Sequence, residues 1–472
     1  MGSQGPALFD VKRIAIIGAG PCGLSAAKYL AAQKAFESIV VFEQQSEVGG
    51  VWNYSPKASS TLHVPQVSAS IPPDPPIEPE GTAPVFPSPM YQVLHTNIPR
   101  ALMRFSDLPF PEDSLIFPTR EAVQDYLVAY ARDIRHLIKF STQVLDVRLR
   151  QGETGKDQWD VDVRSLMTGE ITSATYDAVV VASGHYSIIY IPEIKNAAQF
   201  HKTYPGIISH SKLYRNSESF ADKKVVVVGN AASGLDIAAQ ISRVCQQLLL
   251  LSVRTPTPPA NLAHVGAEEV SLIEEFLVSE RGIRFQDGRV EKDVDAVIFA
   301  TGYLFSFPFL ASFNPPLISN GRQVNGLYKD LFQMDHPTLV FPGLPIKVVP
   351  FPLSESQAAI FSRTWANLLP LPPLEEMKRW EREEAGKRGL SYHVWPKGGD
   401  AEFINAVHDW ISQSKTAGKE PPHWDDEQIW ERKIYFEAKL KFEIEGRSAK
   451  SLEELGFQYR PDEWENPAPE IL

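Results

Sequence analysis

An α/β fold made of two copies of one strand–turn–helix–strand unit, the second inserted into the first, is predicted by three features of the sequence. Glycine-rich turns occur twice, GAGPCG at Gly18 to Gly23 and GNAASG at Gly229 to Gly234. Each follows an unbroken apolar run, RIAIIG and KKVVVVGN, as expected of parallel strands covered on both faces. After about residue 330 only a strand, DHPTLVFPGL, and a helical segment, SESQAAIFSRTWANLL, remain. That is too little for a third unit, so this stretch is expected to rejoin the first.

The elements follow in order. PCGLSAAKYLAAQ reads as a helix with Pro21 in its first turn, and SIVVFE as a strand ending at Glu43. From Ser55 to Pro89 prolines accumulate with no period of two or 3.6, so an extended, solvated surface insertion is expected. TREAVQDYLVAYARDIR reads as a helix capped by Thr119. The strand-like FSTQVLDVRLR, QWDVDVR and TYDAVVVASG are expected to complete the first sheet, and the second unit ends near VDAVIFATGY, Val294 to Tyr303. EEVSLIEE near Glu268 reads as a solvated face. Seven of the nine tryptophans lie after residue 360, which points to aromatic packing of a wrapping tail. The expected division is the first nucleotide-binding domain over 1–186, a linker with the second over 187–329, and a return to the first with a helical tail over 330–472.

Composition excludes several classes. The 472 residues carry 46 Lys and Arg against 58 Asp and Glu, a net charge of -12, and no basic cluster that would attract nucleic acid or acidic lipid. Cys22 and Cys245 are the only cysteines and show no CxxC spacing, which suits a reducing compartment without a disulfide framework. The amino-terminal stretch lacks a secretory profile and no apolar run reaches the length of a membrane span, so a cytoplasmic, soluble protein is expected. No metal-ligand cluster and no Ser, His and Asp arrangement stands out. A homodimer is compatible with the sequence, although no surface patch is legible.

Chemistry concentrates at the two turns. In GAGPCG, Gly18 permits the tight turn, Gly20 lets backbone approach a pyrophosphate, and Gly23 lets helix and strand close, with phosphates resting on the helix N-terminus. Glu43 lies twenty residues beyond Gly23, where its carboxylate accepts hydrogen bonds from ribose hydroxyls, as in FAD or NAD sites. The second turn offers Gly229, Asn230, Ser233 and Gly234, with Ala231 in place of the middle glycine. Twenty residues beyond Gly234 stands Arg254, whose guanidinium fork suits the 2′-phosphate of NADPH, with the Thr255 hydroxyl beside it. A solvated strand-end charge is the alternative for Arg254. Two dinucleotide-binding (Rossmann-like) domains in one chain are the layout of a flavoprotein that takes hydride from NADPH.

The residues joining the two units resemble a known family. YPGIISHSKLY, Tyr204 to Tyr214, resembles FxGxxxHxxxY/F, the signature of flavin-containing monooxygenases, with Tyr204 in place of the usual first Phe. GGVWNY at Gly49, LHTN ending in Asn97, SVRT at Arg254, FATGY at Thr301 and PFPLSESQAA match the same family in the same order, from about residue 12 to 370. The compact fungal type, which lacks the hydrophobic C-terminal anchor of the mammalian enzymes, is the nearest in character, and the polar ending ENPAPEIL agrees.

The resemblance implies roles. Gly50 and Trp52 of GGxW would lie along the FAD, an ordinary core tryptophan being the alternative for Trp52. In the pair Thr96 and Asn97, Asn97 would sit by the reactive edge of the flavin and the nicotinamide carboxamide; a turn-forming Asn ahead of Pro99 is the rival reading. Gln357 would contact the flavin, yet Ser354 to Gln357 also spells a capping box. Tyr204 and His210 belong to the linker signature, where His210 also reads as a hydrogen-bonded structural histidine. Cys22, at a helix N-terminus, reads either as a thiol of lowered pKa or as a small residue under the pyrophosphate. The implied reaction is NADPH reduction of FAD, addition of O2 at the flavin C4a carbon, and attack on that hydroperoxide by a small-molecule nucleophile, an amine, thiol or sulfide. A Baeyer–Villiger monooxygenase is the nearest alternative, but its signature ends in Trp where this chain has Tyr214. A disulfide reductase of similar plan lacks support because the flavin-facing cysteine pair is missing. A non-catalytic NADPH-binding flavoprotein is the alternative from another class.

Overall fold

The computed structural model describes residues 9–58, 61–77, 83–151, 155–246, 248–389 and 392–464. The amino-terminal stretch before Phe9, parts of the proline-rich insertion (59–60 and 78–82) and the polar ending 465–472 lie outside the described residues.

Two parallel sheets organise the chain. In the first, Arg13–Ile17 lies between Ser38–Phe42 and Ala178–Val181, with Ile14 opposite both Ile39 and Ala178. Ile138–Lys139 extends this sheet on one side and Leu339–Val340 on the other, both in parallel. Phe332–Gln333 and Leu327–Tyr328 finish the edge in antiparallel register. Ile14, Ala15 and Ile16 are fully buried, which is why the run RIAII carries no alternation. The second sheet repeats the plan. Val225–Val228 is flanked by Leu249–Ser252 and Ala296–Phe299, with Ala267–Val270 and Ile208–His210 outside them, all parallel.

The chain leaves the first sheet after Val181, builds the second, and returns to the first from Leu327 onward. A short antiparallel pair, Ile188–Ile189 against Tyr303–Leu304, marks the crossing in both directions. Two strands lie side by side there, so the second domain is inserted into the first through a double connection.

Three expectations need correction. The strands Thr142–Gln151, Asp157–Ser165 and Ile171–Tyr176 do not complete the first sheet; they form a separate antiparallel one, joined to the core through the buried Trp159. In Asp157–Ser165 buried residues alternate with half-buried ones, the signature of a half-covered sheet, and only Ala178–Val181, buried throughout, enters the main one. Among its described residues the proline-rich insertion forms no helix or strand and most are exposed or half-buried, as expected of a surface loop, but it is anchored to the rest of the chain. Gln66 exchanges backbone hydrogen bonds with Ile191, Asp74 pairs at 2.7 Å with the buried Lys212, and Gln45 holds Phe86 by both its amide atoms. EEVSLIEE is likewise only partly solvated: Glu268 takes a two-pronged contact from Arg289, while Glu275 is buried against Asn196 and Lys195.

Thr119 caps the helix Arg120–Tyr130 by accepting from the Ala122 N–H. Past the returning strand, the helix Pro350–Trp365 is buried along almost its whole length and packs on Pro21–Gln33, with the Ser354 and Ser25 hydroxyls 2.8 Å apart. Three helices follow, Leu374–Arg388, Gly399–Ser414 and Asp426–Ile444, the last opened by a capping box of Asp425 and Gln428. Trp365, Trp395 and Trp424 are buried in this tail, as its aromatic content predicts. Among the described residues no helix is long and apolar enough to cross a membrane.

Candidate cofactor sites

The first turn is closed by steric necessity. Gly18 has φ +101°, and a Cβ there would lie 2.6 Å from the carbonyl oxygen of Ala182. At Gly23 it would lie 1.9 Å from that of Gly18, so helix and strand meet only because both side chains are absent. Gly20 caps the helix Pro21–Gln33 with no side chain on its amides, which leaves the N-terminal N–H groups to an anion. A second turn lies over this one. Gly49 donates to the Ala19 carbonyl at 3.0 Å, and a Cβ on Gly50 would come within 3.1 Å of Gly20 Cα. Trp52 follows in the short helix Gly50–Trp52, half-buried against the first core.

Glu43 closes the strand beside this turn. It is 4% exposed, and its carboxylate accepts from the N–H groups of Ala19 at 2.7 Å and Gln45 at 2.8 Å. Burial pushes its pKa above the usual carboxylate value, against backbone hydrogen bonds from Gln45, Ala19 and Gln44. A carboxylate has about four acceptor positions, so those the backbone does not fill remain for hydroxyl donors.

The second turn repeats the backbone geometry. Gly229 has φ +108° with Ala300 O 2.8 Å from its would-be Cβ, and Gly234 has Gly229 O at 2.0 Å. The helix Ala232–Ile241 again begins without a side-chain cap, and Ser233 is exposed in its first turn. Here, among the described residues, no second turn lies over the middle residue, and Ala231 is exposed. Asn230 ties the turn to the loop after Leu249–Ser252, donating from Nδ2 to Thr255 O and Thr257 Oγ1, both at 2.9 Å. Its amide thereby positions Arg254 and Thr255 at the lip of the turn. Arg254 is exposed, and among the described residues it makes no hydrogen bond or ion pair. Arg281, Arg284 and Arg289 of the same domain are all paired with carboxylates.

The remaining site residues lie near the joint and the first core. His210 is fully buried; Nε2 faces Gly302 O at 3.2 Å and Nδ1 accepts from the Lys212 N–H. Burial pushes its pKa down to about 3, so the ring is neutral and bridges the two sides of the joint. The Tyr204 hydroxyl is spent on Val278 O at 2.8 Å inside the second core. Thr96 is buried and donates to Ile98 O, presenting Asn97 at the exposed apex of a bend. Gln357 lies inside the helix that starts at Pro350, so the capping-box reading of Ser354 to Gln357 is overturned: the prolines at the helix start move it four residues upstream. Gln357 Oε1 accepts from the Gly343 N–H at 2.8 Å, and its Nε2 is buried without a partner. The thiol of Cys22 is pushed up to about 12 by burial, which removes the lowered-pKa reading and leaves that of a small residue packed at a helix start.

Sequence reasoning missed three contributors. Ala182 and Ala300 wall the two turns at equivalent places in VASG and FATG, a repeat visible in the sequence. Gln124, which holds Val48 O at 2.7 Å beneath Gly49, is visible only in three dimensions.

Two such turns in one chain, each at the carboxyl end of a central parallel strand, define an α/β protein with two dinucleotide-binding domains. Comparison with known proteins carries this further. Residues 80–258 and 267–411 match the family described as Flavin-binding monooxygenase-like, and residues 16–68 match the NAD(P)-binding Rossmann-like domain. The chain is 31% identical to a "Thiol-specific monooxygenase" of Saccharomyces cerevisiae, over 89% of this chain and 90% of the relative. It is 34% identical to "Flavin-containing monooxygenase FMO GS-OX-like 4" of Arabidopsis thaliana, over 79% and 80% of the two chains. Among solved structures, S-allyl-L-cysteine S-oxygenase from Allium sativum superposes with a TM-score of 0.73 at 26% identity, covering 95% of this chain and 98% of its own. The chain belongs to the flavin-containing monooxygenase family, and is a flavin-dependent monooxygenase with a flavin and a nicotinamide cofactor.

Proposed function

We propose that this monooxygenase uses FAD and NADPH to oxygenate soft nucleophilic sulfur or nitrogen atoms of small molecules, sulfur foremost. The reading is carried by the opposed residues at two equivalent strand tips: a buried acid at one and an unpaired guanidinium at the other. When bound, the flavin supplies oxygen activation and the nicotinamide the reducing electrons.

The chain's own groups divide the work. Gly18, Gly20, Gly23 and the helix behind them cradle the flavin's pyrophosphate, and the acceptor positions of Glu43 that the backbone leaves free take ribose hydroxyls. The buried Nε2 of Gln357, fixed through Gly343, donates to a flavin acceptor; Gly50, Trp52 and Thr96 shape the cover. Gly229, Ser233 and Gly234 receive the second pyrophosphate, Asn230 holds the lip, and Arg254 with Thr255 grips the 2′-phosphate. Asn97, held out by the Thr96 turn, is assigned to the reacting edge, where its amide orients the nicotinamide and helps exclude water. A neutral, hydrogen-bonded His210 fits a reaction in which the substrate brings its own lone pair and needs no base. Sulfur is placed first because similar proteins are named as a thiol-specific monooxygenase and an S-allyl-L-cysteine S-oxygenase. In this reading the chain divides at 1–186, 187–326 and 327–472; the expected start of the return at 330 moves to Leu327, where the chain re-enters the first sheet.

Reversing Arg254 to Glu is expected to raise the KM for NADPH by about 30- to 100-fold, the loss of one charge-assisted contact plus repulsion, while the flavin stays bound. An unchanged preference for NADPH over NADH would remove the assignment. NADPH consumption and peroxide release across thiols, sulfides, amines, hydroxylamines and ketones then test the substrate class; conversion of ketones alone would make the heteroatom reading wrong.

A further inference from the structure

His408 and Asp409 are neighbours on the helix Gly399–Ser414, and His423 stands two residues before the cap of Asp426–Ile444. One nitrogen from each imidazole and a carboxylate oxygen of Asp409 lie within 4.8 Å of one another, the two rings 4.7 Å apart at 60°. We propose that these three side chains form a binding site for a divalent transition ion. Zinc is the best match to two imidazoles, one carboxylate and a water, since this borderline ion accepts nitrogen and oxygen ligands together.

The backbone around the site is built before any ion arrives. Asn405 donates from Nδ2 to Trp424 O at 2.9 Å and accepts from Trp424 N at 2.8 Å, and Trp424 is 2% exposed. His408 and Asp409 lie one helical turn beyond Asn405, on the same side, so the clamp on Trp424 holds its neighbour His423 over them. Pro421 and Pro422 stiffen the approach. Ligands of one tetrahedral ion at 2.0 to 2.2 Å stand about 3.4 Å apart, so the triad, within 4.8 Å, has at most about 1.4 Å to close. Rotation of the side chains suffices, because Asp409 is 64% exposed.

The donors are committed only to one another: His408 Nδ1 and Asp409 Oδ1 stand 3.4 Å apart. Among the described residues Asp409 has no lysine or arginine partner, and the ring of His423 makes no hydrogen bond. Both histidines line a cavity of about 770 Å³, which leaves room for a water ligand. The same cavity is lined by Lys28, Ala31 and Ala32, from the far end of the helix whose beginning closes the first glycine-rich turn. An ion here therefore joins the helix Gly399–Ser414 to the segment that leads into Asp426–Ile444, and stands apart from the reaction. No spacing in the sequence advertises it, because fourteen residues separate Asp409 from His423.

Isothermal titration of zinc chloride into the tag-free, flavin-loaded full chain, with thermal unfolding in parallel, tests the site. One saturable site per chain is expected, with a higher Tm in zinc than in EDTA. His423→Ala and Asp409→Asn should each weaken binding at least tenfold, and His408→Ala with His423→Ala should remove both the site and the Tm gain. Retained flavin absorbance would certify that these exposed substitutions leave the fold intact. NADPH oxidation by the EDTA-treated protein should be unchanged. No saturable binding to the parent chain, or equal binding by the double variant, would overturn the proposal.

Discussion

The turn at Gly18 to Gly23 and the turn at Gly229 to Gly234 make the same backbone demands, yet differ in what covers them. In both, the first glycine faces an alanine carbonyl and the last faces the carbonyl of the first, at 1.9 Å and 2.0 Å from a would-be Cβ. The first turn is roofed by Gly49 and Gly50 and flanked by a buried acid, whereas the second has an exposed Ala231 and an exposed, unpaired Arg254. A roofed site suits a cofactor that stays through many turnovers. An open one suits a carrier that arrives and departs. The duplication thus supplies two phosphate cradles, and the loops laid over them set how long each ligand remains.

The largest expected effect separates the two cradles. Gly23→Ala and Gly234→Ala each force a methyl into backbone, at a local cost of about 3 kcal/mol or more. Gly23→Ala should yield protein without flavin absorbance. Gly234→Ala should keep the flavin and lose NADPH-driven reduction in stopped-flow measurements; loss of flavin from this variant too would break the comparison.

Acid sensitivity at the joint between them comes next. The folded pKa of His210, about 3, lies below the ordinary value of 6.5, so the unfolded chain binds the extra proton first as pH falls. The contribution of the neutral ring is complete above pH 6.5 and is lost progressively below it, amounting to about 2 kcal/mol by pH 5. Denaturant titrations should show the parent chain losing that much more stability between pH 7 and pH 5 than His210→Gln; identical acid profiles would remove His210 as the sensitive group.

The smallest effect tests the roofed site's acid. Glu43→Gln presents an N–H₂ where the carboxylate now meets Ala19, and should weaken FAD retention by roughly tenfold, about 1.4 kcal/mol. Reconstitution of the stripped protein with FAD measures this. Undiminished affinity would mean that Glu43 only braces the turn through Ala19 and Gln45.

Legibility in the sequence followed the range of the interactions. Strand, turn, helix and strand-tip residue of each domain lie within some forty residues, so GAGPCG with Glu43 and GNAASG with Arg254 could be read directly. Thr119 was readable for the same reason, since a cap acts on its own helix. Gln357 was ambiguous because SxxQ has a local meaning, and only the start of the helix at Pro350 removed it. The docking of the proline-rich insertion through Gln66 and Asp74 onto Ile191 and Lys212 leaves no local trace, because its partners are more than a hundred residues away.

Local chemistry alone thus determined that this protein holds two dinucleotide-binding units, because tight turns, helix starts and apolar strands are requirements of neighbouring residues. Tertiary structure decided which turn is roofed, which strands leave the main sheet, how His210 loses its charge and how His408 meets His423. Each of these depends on burial and on contacts between distant segments, and solvent exclusion is a property of the folded chain that no stretch of sequence carries by itself.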